Sequence, residues 1–408
     1  MPRKPITAKV TTFINQKSDR QFYIDWLRII LILSVFLFHI GMVFNTWAWH
    51  VKNEEQYGGL LRYSMIFFHN WRMPLLFMIS GAGTWFALGK RTPVQYIKER
   101  FTRLFIPFII GIFTLVPVQV YVEKIENYDS LIAFYRHMFD GVYPEGNFSW
   151  HHLWFILYLF FIALLISPFL NLLRNARTGG FGRWCDRFFA RPCAQYLVIV
   201  PLLLSQIILR RYFEVETHAF FNDWASMTYY VIFFMAGFFL LTSGIITESL
   251  RRYRYVHLLS VLFSTVVMFC GASLFRSERA GEIVTDIAAI FLAWSCALAA
   301  TGFARQYLNF DSRFRKIANE AIYPFYLLHQ PIIVIAAYFV VNMNMGVMLK
   351  VSVLLLSSFT ATISIYWFLI RPFNLMRVIF GMKRIDRGRH KDIKECLPEA
   401  GEFLSSRA

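Results

Sequence analysis

Residues 25–40 read DWLRIILILSVFLFHI. The run is apolar except for Asp25, Arg28, Ser34 and His39, and it continues in apolar residues to about residue 46. A helix of about 20 such residues crosses the roughly 30 Å of a bilayer's hydrocarbon. Ionisable groups at that depth are costly and face a polar cavity, a partner helix or a site. Arg28 and His39 are eleven positions apart. At about 100° per residue that is three turns plus about 20°, so both lie on one face, roughly 16 Å apart along the axis. Asp25 falls within about 60° of Arg28 on the same side. Two accounts of this stripe stay open. It lines a polar site, or Arg28 reaches back to the headgroups while His39 bonds a neighbouring helix.

The rest of the chain repeats the theme. Of its 408 residues, 57% are hydrophobic and only 16% charged, against about 45–50% and about 25% in a soluble domain. Apolar runs of about 20 residues recur ten times, at about 24–46, 60–88, 103–122, 153–174, 195–210, 227–247, 256–275, 283–304, 318–342 and 348–371. The expected fold is an all-α polytopic membrane bundle of about ten transmembrane helices. A β-barrel would show alternating ten-residue strands instead. Residues 1–23 read as an N-terminal tail, 24–372 as the membrane domain and 373–408 as a basic tail.

The formal charge of +17 reports topology, not nucleic-acid binding. Of the 42 Lys and Arg residues, 31 lie in or beside the two tails and every second loop. Basic residues stay on the cytoplasmic side, which puts both termini there and the protein in a plasma membrane, most simply a bacterial inner membrane. The first apolar run is too long for a cleavable signal and reads as an anchor. The five cysteines form no metal-type pair. No metal and no tightly bound cofactor is expected. The long segment YDSLIAFYRHMFDGVYPEGNFSW, 128–150, holds a short interfacial helix around Leu131–Phe139 and a turn at YPEG.

Further polar residues punctuate the spans. In FFHNWRMPLLFMISGAG, His69 and Arg72 are one turn apart and Pro74 deprives the Asn70 carbonyl of its helical partner. Ser80, Gly81 and Gly83 permit close approach of a helix or a ligand. Arg100 and Arg103, one turn apart at the mouth of the third span, suit a phosphate clamp as well as a topology signal. SWHHLWF brings His152 and Trp154 to the fourth span, and ANEAIYPFYLLHQP brings Asn319, Tyr326 and His329 to the ninth. His39, His69, His152 and His329 in the middle or outer half suggest one polar chamber opening outward.

Taken in order, the Arg28…His39 pair, WRMPLLFMISG, the Arg-x-x-Arg pair, HLWF and YLLHQP resemble the membrane-bound acyltransferase type 3 family, over about residues 20–372. FYIDWLR, NTWAWHVKN, FFHNWRM, ILRRYF and FFMAGFFL are most similar to a branch of it associated with succinylation of periplasmic glucans. The resemblance implies that His39 is the essential histidine and Arg28 its partner, and that Arg100 and Arg103 handle the acyl-coenzyme A donor. It matches Ser80, Gly81 and Gly83 to a small-residue motif, shorter here than the commonest family form.

On that basis the expected function is transfer of an acyl group, succinyl or acetyl, from cytosolic acyl-CoA to a hydroxyl of an extracytoplasmic glycan. His39 serves as general base, with Arg72 or His69 on the oxyanion or an acidic group. Asp25, His152, Trp154, Asn319, Tyr326 and His329 line the substrate path. The partners are the bilayer, the acyl-CoA donor and a periplasmic or surface glycan. A transporter or flippase for a glycan or lipid-linked carrier is the competing class. It would show inverted repeats, and none is visible.

Overall fold

The structure, a computed structural model, describes residues 21–89, 91–213, 219–275 and 277–385. Lys90, the N-terminal tail to residue 20 and the basic tail beyond residue 385 lie outside the described residues. The helices are α1 Phe22–Phe44, α2 Gly59–Leu88, α3 Pro93–Arg100, α4 Ile106–Thr114, α5 Val116–Glu123, α6 Leu131–Arg136, α7 Trp154–Ile166, α8 Leu170–Thr178 and α9 Gly180–Phe188. There follow α10 Pro192–Gln195, α11 Ile199–Leu209, α12 Trp224–Leu240, α13 Gly244–Arg252, α14 Arg254–Cys270, α15 Glu278–Tyr307, α16 Arg313–Val340, α17 Val347–Ile365 and α18 Asn374–Ile379. A π-helical turn, Phe101–Phe105, joins α3 to α4. Among the described residues the only β pairing is two isolated bridges, Asn45–Tyr57 and Val142–Phe148.

Among the described residues, seven segments are long and apolar enough to cross a membrane, and eight if the bent pair α12–α13 counts as one. The expectation of ten exceeds this by α2 and α14. At 30 residues α2 is long enough, but Arg72, Pro74 and its run of small residues dilute its apolar character. α14 is apolar but only 17 residues long. The expected span 227–247 is not straight either. The chain turns after Leu240, and Ser243 caps α13 by accepting from the Ile246 N–H at 3.3 Å, so α13 leaves at 102°. A short helix expected around Leu131–Phe139 is present as α6, which ends at Arg136.

Two packing relationships position the site. The first joins α2 to α12. A Cβ on Gly81 would lie 1.9 Å from the Phe234 carbonyl oxygen, and one on Gly237 only 1.7 Å from that of Met78. Each glycine removes the atom that would hold the other helix away, so the backbones touch. The second joins α1 to α16, which run parallel. Asp25 meets Arg315, Arg28 meets Asn319 and His39 meets His329, at sequence offsets of 290, 291 and 290. These three rungs extend over about 21 Å of helix.

Proline supplies two docking points between segments. Pro331 has no N–H to give the Leu327 carbonyl, four residues earlier. That carbonyl accepts instead from His152 Nε2 at 3.1 Å. Pro117 likewise leaves the Phe113 carbonyl to the Tyr135 hydroxyl of α6, at 2.9 Å.

Candidate active site

The α1–α16 seam is the spine of the site. At its start Arg315, fully buried, is held by Asp25 and by Asp311 at 2.7 Å. Asp25 also lies 3.5 Å from Arg28. One turn on, Arg28 donates to Asn319 Oδ1 at 3.2 Å. Gly83 borders this rung, since a Cβ there would lie 3.9 Å from the Arg28 guanidinium. Three turns further, His39 Nδ1 is 2.9 Å from His329 Nε2.

The hydrogen bonds assign the protons of this histidine pair. His329 Nδ1 is 2.6 Å from the Tyr326 carbonyl oxygen. A carbonyl only accepts, so His329 Nδ1 carries the hydrogen and, in the neutral ring, Nε2 is a lone pair. His39 must then donate from Nδ1. Its own Nε2 is left unprotonated, a base whose tautomer is set by a backbone carbonyl two bonds away. The same logic applies to His152. Its Nε2–H donates to Leu327, so its buried Nδ1 is a lone pair, and no partner for it is present among the described residues. The rings of His152 and His329 are 5.5 Å apart, and the Tyr326 hydroxyl donates to the His152 carbonyl.

Helix α2 closes the other side. The Arg72 guanidinium lies 3.7 Å over the ring of Phe38, and the His69 ring stacks on Phe38 at 5.6 Å. Phe38 thus carries both groups beside its neighbour His39. Trp154 joins an aromatic group with Phe77 and Tyr230, at 6.4 and 5.6 Å. Ser80 donates to the Leu76 carbonyl at 2.8 Å, and Gly81 serves the α2–α12 contact.

At the N-terminal end of the seam, Arg100 and Arg103 are not a bare clamp. Arg103 bonds Glu99 at 3.2 Å and the Gly381 carbonyl at 3.1 Å. Arg100 lies 4.8 Å over the Tyr96 ring. The π-helical turn after Arg100 changes the angle between the two residues from that of a regular helix.

Sequence reasoning missed the far end of the site. The loop after α1 is pinned by Lys52, whose ammonium donates to the Met42 and Asn45 carbonyls and whose burial pulls it down to about 8. The loop delivers Trp49, stacked 6.1 Å from His39, and His50. His50 Nδ1 bonds Glu123, at the end of α5, and Tyr143 donates to the same carboxylate at 3.1 Å. Burial, then the Glu123 charge, pushes the Tyr143 phenol up, so it stays a donor. The Gln330 amide is 3.3 Å from His50 Nε2, and the His151 ring packs edge-on against His50 at 4.5 Å. His50 and Glu123 are 73 positions apart. The signal in the sequence was a histidine preceded by two tryptophans in NTWAWHVKN.

An acyltransferase domain model matches residues 21–369. The chain belongs to the acyltransferase 3 family. Proteins named glucans biosynthesis protein C are among its relatives. That of Salmonella paratyphi B (strain ATCC BAA-1250 / SPB7) is 26% identical over 240 residues, covering 54% of this chain and 58% of the relative. That of Salmonella paratyphi A is 25% identical over 231 residues, with the same coverage. The match thus spans little more than half the length of these curated relatives. No solved structure matches the chain. With several apolar helices, it is a multi-pass membrane protein of that family, and the α1–α16 seam with the facing residues of α2 is its candidate machinery.

Proposed function

We propose that this acyltransferase moves an acyl group, succinyl or acetyl, from cytosolic acyl-CoA to a hydroxyl of an extracytoplasmic glycan. The observation that carries the reading is the unprotonated Nε2 of His39, oriented through His329 by the Tyr326 carbonyl, with the Arg72 guanidinium on the ring of the adjacent Phe38. A poised base beside a guanidinium is what hydroxyl attack on a thioester requires. The glycan acceptor is supported by the name of the relatives.

In this scheme α2 and α14 complete ten crossings of a bacterial inner membrane, with both termini inside. The parallel course of α1 and α16 agrees, because the first and ninth crossings must run the same way. Acyl-CoA phosphates dock on Arg100, Arg103 and Arg28, with Asp25 and Asn319 holding Arg28 in place. The thioester reaches His39 about three turns, roughly 16 Å, further along α1. His39 Nε2 takes the acceptor's hydroxyl proton and the oxygen attacks the thioester carbonyl. Arg72, with His69, stabilises the oxyanion. The C–S bond then breaks, and the thiolate leaves with the proton His39 gathered.

Purified protein in lipid nanodiscs, given radiolabelled acyl-CoA and a glucan oligosaccharide, tests this. Label should pass to the sugar. Label that stays in the thioester, while sugar crosses vesicles bearing the protein, would establish a transporter instead.

A further inference from the structure

The cluster beyond His39 has no role in the reaction as written. We propose that Glu123, His50 and His151, with Tyr143 and Trp49, form the acceptor-side subsite, built for a neutral polyhydroxylated ligand such as a sugar. This rests on the acyltransferase reading and adds to it where, and by what chemistry, the acceptor is held.

The first argument is hydrogen-bonding capacity. A carboxylate accepts at about four lone-pair positions. Glu123 accepts from His50 and from Tyr143, one bond on each oxygen, and is 23% exposed. About two of its lone-pair positions remain for a ligand. His151 Nε2 is buried and meets no hydrogen-bond partner among the described residues. His151 also sits at φ 37°, a region rarely populated by a residue with a side chain. Ser149 meets both its backbone N–H and its Nδ1, at 3.1 and 3.2 Å. The ring is thereby fixed against His50 and Tyr143, the latter at 4.7 Å. Such a cluster suits a ligand bearing several hydroxyls, each able to donate and accept.

The second argument removes the alternatives. His50 is not a second free base, because its Nε2 already faces the Gln330 amide. Nor do these atoms converge as metal ligands would, since among the described residues no group of three or more His, Cys, Asp or Glu side chains could hold an ion. The Glu123 charge disfavours an anionic acceptor.

The third argument is continuity. The Trp49 ring lies 6.1 Å from His39 and 5.3 Å from His50. Gln330, next to His329 in the chain, reaches His50. A sugar ring lying on the Trp49 face would offer one hydroxyl to His39 and its neighbours to Glu123.

The test uses the full chain in nanodiscs, with Glu123→Gln and Tyr143→Phe as conservative variants. Equilibrium binding of a radiolabelled glucan oligosaccharide is measured without donor. Acyl transfer is measured to the oligosaccharide and to cyclohexanol, an acceptor with one hydroxyl. Losing a hydrogen bond to a charged group weakens binding about 10- to 100-fold. Glu123→Gln should therefore raise Kd and KM for the oligosaccharide about tenfold or more, and lower transfer to the oligosaccharide more than transfer to cyclohexanol. Equal oligosaccharide binding by parent and variant, or no binding by the parent, overturns the subsite. So does an equal loss towards both acceptors. Binding that depends on Glu123 without any transfer supports the subsite and defeats the acyltransferase reading.

Discussion

His39 and His329, 290 positions apart in the chain, face each other with Nδ1 of the first 2.9 Å from Nε2 of the second. Because His329 gives its own Nδ1–H to a backbone carbonyl, only one neutral tautomer of each ring satisfies the pair. The relation resembles a base held by an orienting partner. Here the partner is a second imidazole, itself fixed by α16.

Replacing His39 by alanine should lower kcat for acyl transfer by about 10²- to 10⁴-fold, the range of a general base. Donor binding, measured by equilibrium dialysis of labelled acyl-CoA, should stay within about twofold, since the proposed phosphate contacts lie three turns away. Near-parental kcat would remove His39 from the chemistry.

His329→Ala should also lower kcat, by about 10- to 100-fold, the usual cost of losing a group that orients a functional histidine. The decisive measurement is the double variant. If His329 acts only through His39, His39→Ala with His329→Ala should be no slower than His39→Ala alone. Multiplicative losses would mean that His329 has a separate task.

Arg315 is fully buried between Asp25 and Asp311. Removing one partner of a buried pair costs about 3–5 kcal/mol when the charge is left alone. With Asp311 remaining, Asp25→Ala should destabilise by the lower part of that range, read as a fall in midpoint in detergent-solubilised thermal unfolding. Asp25→Ala combined with Arg315→Met should recover part of the loss. A double variant less stable than Asp25→Ala would show that the guanidinium matters for more than its charge.

Gly237→Ala would put a methyl 1.7 Å from the Met78 carbonyl oxygen. Neither atom sits on a flexible side chain, so the helices must separate, at a cost of about 1–3 kcal/mol or more. Gly244→Ala, where nothing lies within 4 Å of the added atom, is the control and should leave the unfolding midpoint unchanged.

Much of this was legible before any coordinates. The stripe of Asp25, Arg28 and His39 does face one neighbour, and His329, deep in its own span, is what His39 meets. Arg315 counts in the sequence only as one more basic residue of a cytoplasmic loop, because nothing in RFRK distinguishes a buried guanidinium from a solvated one. Ten apolar runs were readable, but the bend after Leu240 rests on a serine cap that looks like an ordinary position in a polar-flanked helix. His50 and Glu123 escaped for a different reason. Each lies at the edge of its segment, where a polar residue needs no explanation, and only the folding of the loop after α1 onto α5 joins them.

The constant offset between α1 and α16 also limits how such chains can change. Deleting a single residue within either helix between its first and last rung would turn the remainder by about 100°. The ion pair and the imidazole pair would then no longer engage at the same time. Inserting or removing residues in the long stretch between the helices leaves the match intact. Chimaeras of this protein should therefore tolerate exchange of intervening segments more readily than exchange of one of these two helices without the other.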